Sequence, residues 1–207
     1  MKCEALLSLS SVILSLAVLP GAIQAQSAAA AAAGNSAERA ISLRMVSVQT
    51  VVDKTLDGKA LQPGAEFQVT LVQKVKLNDG QELPKGTTLA GTVVSNSKEN
   101  DKTKLAVRFT EARLKGGKTI PISAIVTGLY NGGSLNAQYG SNSWAPGQVE
   151  VEQSNASGGL ALTSRIGVDN SGSFQSKKDS VRIDRGNALF LAIAPAEASG
   201  SASATGK

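Results

Sequence analysis

The sequence predicts an all-β fold, a small antiparallel barrel or sandwich carrying one long loop rich in Gly, Ser and Asn. Three observations predict it. Apolar and polar residues alternate at period two in several short runs, the spacing that turns one face of a strand into a core. Turn residues such as Asn78-Asp79-Gly80 and Lys115-Gly116-Gly117-Lys118 separate the runs. No convincing amphipathic helix lies among them, which argues against a mixed layer architecture.

The elements follow in chain order. Residues 1–25 read as a cleavable signal peptide: a charged start, an apolar run over 5–18, a Leu19-Pro20-Gly21 break and an Ile23-Gln24-Ala25 exit. The apolar run carries four serines and is shorter than the roughly 20 residues of a membrane span. Residues 26–40 read as a linker, because the six alanines Ala28 to Ala33 offer no apolar stripe with which to dock a short helix. A less regular strand lies near 44–52. Phe67, Val69 and Leu71 alternate with Glu66, Gln68 and Thr70, and Val75 and Leu77 lead into the Asn-Asp-Gly turn. Further strands are predicted over 89–94, at Leu105, Val107 and Phe109, over 120–127, and at Leu189, Leu191 and Ile193. That makes about six strands in a domain spanning 41–194. A closed barrel would leave no edge open to aggregation. Residues 195–207, rich in Ala, Ser and Gly, read as a disordered tail.

The long loop is expected over 131–179. It contains Tyr139 and Trp144, with Tyr130 at its base, three of the seven aromatic residues in the chain. Two readings stand: an exposed interaction patch of Tyr130, Tyr139 and Trp144, or a plug folded back over the barrel end. The large apolar area of an aromatic ring favours the covered state.

Composition removes whole classes of chemistry. The sequence has no histidine, and its one cysteine, Cys3, falls within the expected signal peptide. A mature chain of that kind cannot build a His/Cys zinc site or a His-assisted nucleophile. No catalytic residue, cofactor or metal ligand is assigned, and the protein is read as a non-enzyme. The net charge of +5 comes from lysine-rich loops more than from a block; the densest stretch, 98–118, reads first as a solvated basic surface, with Lys102, Lys104, Arg108, Arg113, Lys115 and Lys118 as the candidate anion-facing residues. Nucleic acid is not expected, since a single-strand groove interleaves several aromatics for stacking and only Phe109, on the apolar face, is present there. Attraction to anionic envelope polymers remains as a reading of this charge.

Two stretches imitate catalytic motifs. Ala112-Arg113-Leu114-Lys115-Gly116-Gly117-Lys118-Thr119 approaches a phosphate-binding loop, but Ile120-Pro121-Ile122 follows it where a helix must start. A hairpin turn explains it better. Ser95-Asn96-Ser97-Lys98 has Ser-x-x-Lys spacing without the partner motifs of serine acyl-enzymes, and reads as a polar loop between strands. The carboxylate pairs Asp53/Asp57 and Glu150/Glu152 carry nothing beyond their charge.

Leu56-Asp57-Gly58-Lys59, Pro63-Gly64, and Leu83-Pro84-Lys85-Gly86-Thr87-Thr88-Leu89-Ala90-Gly91-Thr92-Val93 together resemble the barrel of the TrbI-like family. The likeness covers roughly 46–127 and a closing strand over 186–193. Members of that family form part of the envelope-spanning channel of conjugation and type IV secretion systems. The resemblance implies a barrel in which Gly91 lets a strand bend or approach its neighbour at a corner. This sequence departs from the family in having a cleavable signal in place of an inner-membrane helix, and no apolar membrane-crossing run in its long loop. What the resemblance implies is therefore a stand-alone exported barrel, periplasmic or secreted, without a stable membrane span after cleavage. The functional expectation is a non-catalytic envelope protein that works by contact with an envelope protein partner. Alternatives are a binding module for anionic glycan or lipid head groups, and a Ser/Lys hydrolase.

Overall fold

The computed structural model describes residue 36 and residues 38–132 and 144–196. The expected signal peptide, the first part of the linker, Tyr139 and the tail beyond residue 196 lie outside the described residues. The described strands are β1 (Val46–Val52), β2 (Leu56–Asp57), β3 (Glu66–Leu71), β4 (Val75–Lys76), β5 (Glu82–Leu83), β6 (Thr88–Glu99), β7 (Lys102–Arg113), β8 (Thr119–Tyr130), β9 (Glu150–Ala156), β10 (Leu160–Arg165), β11 (Gly172–Ser176), β12 (Arg182–Ile183) and β13 (Ala188–Pro195).

Six of them, the six strands expected from the sequence, close into an antiparallel barrel in the order β1-β3-β6-β7-β8-β13 and back to β1. Alternation explains the closure. In β3, Phe67, Val69 and Leu71 are buried while Glu66 and Gln68 face water, and β1 and β7 repeat the pattern. The inward residues fill the interior, as small barrels require. Phe109, Leu71, Leu89, Leu105, Leu129, Leu191 and Ile193 are fully buried there, and Leu162 of β10 and Phe174 of β11 join the same core. β6 and β7 are joined by Asn100-Asp101, both at positive φ, the geometry of a two-residue hairpin turn whose twist matches its strands.

The segment 131–179 is not one long loop. It carries β9, β10 and β11, which pair in sequence and extend the sheet from β7. β9 is polar along most of its length, with only Ala156 buried, so it shows no apolar alternation. β11 points Gly172, Phe174 and Ser176 to one buried face, two of them too small to register as core in a sequence. At Gly172 the smallness is required: a Cβ there would lie 2.8 Å from Val126 Cγ2 and 3.0 Å from Ser164 Oγ.

The linker expected to reach residue 40 also ends earlier. Residues 38–43 are helical, because Ile41 and Met45 supply the apolar contacts that the alanine run lacks. At the other end β13 outruns the expected domain limit: Pro195 pairs with Ile122, and the Ala196 N–H donates to the Pro121 carbonyl at 3.1 Å.

Candidate functional site

Of the three aromatics grouped in sequence, Tyr139 lies outside the described residues and the other two are separated. Trp144 is not part of an exposed patch. It is 8% exposed and packs with Met45, Ile125, Ile166, Ala192 and Ala194 in a second, smaller core. Ala192 and Ala194 alternate with the inward Leu191 and Ile193, so Trp144 covers the outer wall of the barrel rather than its end. Its Nε1–H donates to the Ser42 carbonyl at 3.0 Å, and its backbone N–H donates to Ser47 Oγ at 2.6 Å. The indole thus pins the helical turn to β1, β8 and β13.

Tyr130 remains on the outer wall, half-buried, opposite Ala188 on β13. Its ring meets that of Phe190 edge to face, with centroids 5.4 Å apart. Phe190 was not singled out in the sequence. The alternation of Leu189, Leu191 and Ile193 places it with Ala188 and Ala192 on the opposite face, but nothing in the sequence marks it as a contact residue.

The six candidate cations do not form one cluster. They follow β7, a strand of 12 residues and so roughly 35 Å long. Arg113 pairs with Glu111 at 3.1 Å, and Lys115 and Lys118 sit in the β7–β8 turn. Lys102 and Lys104 lie at the opposite end, where the fold adds cations that are distant in sequence. The β7–β11 register brings Lys177 and Lys178 beside them, and Thr103 Oγ1 donates to the Lys178 carbonyl. Lys98 bonds Asp179 at 3.1 Å. The Lys98 hydrogen bond, the Lys98 charge and the charge of nearby Lys59 hold the Asp179 carboxyl below its ordinary range. A basic end of Lys59, Lys98, Lys102, Lys104, Lys177 and Lys178 results.

The imitated motifs dissolve in the strand geometry. Ser95 and Lys98 are not in a loop but on β6, and three positions along a strand place them on opposite faces. Residues 112–119 form the β7–β8 turn, with Leu114 N–H donating to the Lys118 carbonyl at 2.8 Å. Asp53 accepts from Thr70 Oγ1 and Asp57 accepts from the Lys59 N–H, which explains both as local structure.

One further feature was invisible in sequence. β7 and β8 pair only through Glu111–Pro121, Ala112–Ile120 and Arg113–Thr119, then part. Ser171 wedges the split: its N–H donates to the Val107 carbonyl, its carbonyl accepts from the Val126 N–H, and its Oγ accepts from the Phe109 N–H. Between Pro121 and Val126 a groove of about 390 Å³ opens on the outer wall. Its floor is the barrel core, Phe109, Ile122 and Ala124. Ile41 of the helical turn and Met45 beside it line the groove, as do Val168 and Asp169 of the β10–β11 turn, which lies against Glu38 of the same helical turn. Arg108 and Arg165 also line it.

Together the filled interior and the decorated outer wall define a closed antiparallel β-barrel protein whose accessible features lie on its surface. No family model matches the sequence, and no curated protein matches it. Among solved structures, the chain is similar to ComB10 of the Com type IV secretion system of Helicobacter pylori, at 11% identity, over 75% of this chain and 89% of that one, with a TM-score of 0.38. At that identity and score the likeness assigns neither family nor activity.

Proposed function

We propose that this protein is a non-catalytic, exported envelope component that acts by protein–protein contact through the outer wall of its barrel. The observation that carries the reading is the interior: inward positions are occupied by large apolar side chains, so recognition falls to the outside. The Tyr130–Phe190 pair is the natural anchor, because half-exposed aromatics provide much contact area at little entropic cost. The expected signal peptide and the TrbI-like resemblance of 46–127 support an envelope location.

The test is site-specific photocrosslinking in intact cells, with the crosslinker at Phe190 and, as a control, at Lys76 on the separate β4–β5 hairpin. The expected result is a discrete adduct from Phe190 containing an envelope protein and none from Lys76. Identical adduct patterns from both positions would remove the reading.

The basic end favours a second reading, contact with anionic glycan or lipid head groups. Its support is the register that gathers lysines from three separate stretches of sequence onto one end of the barrel.

A further inference from the structure

We infer that the groove between β7 and β8 is a docking site for an extended, acidic peptide segment of a partner protein, which adds to the unpaired edge of β8. The inference rests on the protein-contact reading and names the chemistry of one such contact.

The first argument is backbone geometry. Among the described residues, the ladder between β7 and β8 stops at Pro121, and the next bond from that edge of β8 is Val126 N–H to Ser171. The intervening residues Ile122, Ser123, Ala124 and Ile125 have β13 on one side and no registered strand on the other. Four residues of strand give about 13 Å of edge, enough for a short extended peptide. An unpaired edge is a template for another strand, and peptide recognition domains use it by main-chain pairing, with alternate side chains entering pockets.

The second argument is what those alternate side chains would meet. The floor is apolar, and Val168, 47% exposed at the wall, is one of the few large apolar residues that face water. Valine or isoleucine side chains on a docked peptide would cover it.

Charge complementarity supplies the third. Arg108 Nε–H donates to the Asp169 backbone carbonyl, while its Nη2 is 3.6 Å from Asp169 Oδ1, a carboxylate whose side chain is fully exposed. Arg165 Nη2 is 3.4 Å from Glu38 Oε2. Both separations exceed the roughly 2.7–2.9 Å of a good charge-assisted hydrogen bond. Peptide carboxylates reaching these guanidiniums would replace loose pairs. A strand with apolar and acidic residues alternating covers the floor and brings carboxylates to Arg108 and Arg165 in competition with Asp169 and Glu38.

The experiment uses the full mature chain and a fluorescein-labelled Glu-Val-Glu-Val-Glu peptide, blocked at both ends, followed by fluorescence anisotropy. Saturable binding is expected, weakened at least tenfold by Arg108→Glu and by Val168→Glu. Both side chains are at least partly exposed, so folding is expected to survive, and far-UV circular dichroism verifies it. A peptide N-methylated at alternate backbone nitrogens keeps its charge but loses its strand-pairing donors, and it is expected not to bind. Equal binding of the methylated peptide, or undiminished binding to folded Arg108→Glu, overturns the inference. So does retention on phosphatidylglycerol vesicles with no peptide binding, which assigns the groove to a lipid surface. If the peptide fails while Phe190 still crosslinks to an envelope protein, the groove inference falls alone.

Discussion

The ring of Phe67 lies directly on Gly91, its register partner across β3 and β6, where a Cβ on Gly91 would stand 2.8 Å from the ring Cε atoms. The same ring meets Phe109 on β7 edge to face at 5.2 Å. Gly91 is thus the point at which three neighbouring strands come together around two aromatic rings. The β6–β7 register shifts between Ala90 and Gly91, leaving Thr110 as an extra residue on β7. Bulge and glycine bend the sheet at one place, and that bend lets six strands close.

Gly91→Ala is therefore expected to destabilise the barrel by overpacking, by about 1–3 kcal/mol. Urea denaturation followed by circular dichroism measures it. Phe67→Leu in the same chain shrinks the obstructing ring and should recover part of the loss. A double-mutant cycle showing simple additivity would mean that the ring is not the cause.

Trp144→Ala is expected to cost about 3 kcal/mol, in the range for deleting a large buried aromatic. The loss should be local as well as global: hydrogen exchange of the amides over 41–45 should accelerate, because the indole holds that turn to the wall. Trp144→Phe keeps the apolar contact but removes the donor to the Ser42 carbonyl, at about 1 kcal/mol. Unchanged exchange in both variants would contradict the clasp.

Legibility in the sequence tracked burial contrast. Barrel strands such as β3 and β7 carry an apolar face and a polar one, whereas β13 and the second half of β8 are buried on both faces and show as apolar runs; each was readable. β9 has polar residues on both faces, and β11 puts glycine and serine where a core residue was sought. Turn-like composition there reflects tight packing against β8, a demand set by tertiary structure that local pattern does not carry. The candidate sites fared accordingly. Trp144 was read with its covering role as one of two possibilities, whereas the gathering of Lys177 and Lys178 beside Lys102 depends on a β7–β11 register between residues some 70 positions apart.

Asp179 offers a pH test. Lys98, by hydrogen bond and charge, and Lys59 by charge, depress its folded-state pKa. A depressed carboxylate contributes stability above its unfolded value, near 4, and loses it as pH falls through the lower folded value. Lys98→Met should raise the Asp179 titration midpoint toward the ordinary range, read from its carboxyl carbon by NMR. Because the pair is exposed, the melting temperature at pH 7 should hardly move. An unmoved midpoint would show that Lys98 does not engage Asp179 in solution.

The basic end predicts salt-dependent retention. Lys102→Glu with Lys178→Glu reverses two charges on one end and should abolish binding to immobilised lipopolysaccharide at low salt, while Lys115→Glu with Lys118→Glu, at the other end of β7, should leave it largely intact. Equal loss in the two pairs would assign the effect to net charge rather than to the gathered lysines.

Ser171 decides whether the β7–β8 split is built or incidental. Its backbone bonds to Val107 and Val126 would survive a side-chain change, but its Oγ is the acceptor for the buried Phe109 N–H at 2.9 Å. Ser171→Ala removes that acceptor at a point where water has little access, and an unsatisfied buried donor costs about 1–3 kcal/mol. Ser171→Thr keeps a hydroxyl and separates loss of the hydrogen bond from loss of volume. If the split is a fixed feature, Ser171→Ala should lower stability and speed exchange at Phe109 and Val126 ahead of the β1–β13 amides. Peptide binding in the groove should weaken with it, since the β8 edge is held open by this wedge. Uniform exchange across the barrel would instead mean that β7 and β8 part for reasons carried elsewhere, and that the groove is a by-product of the three added strands.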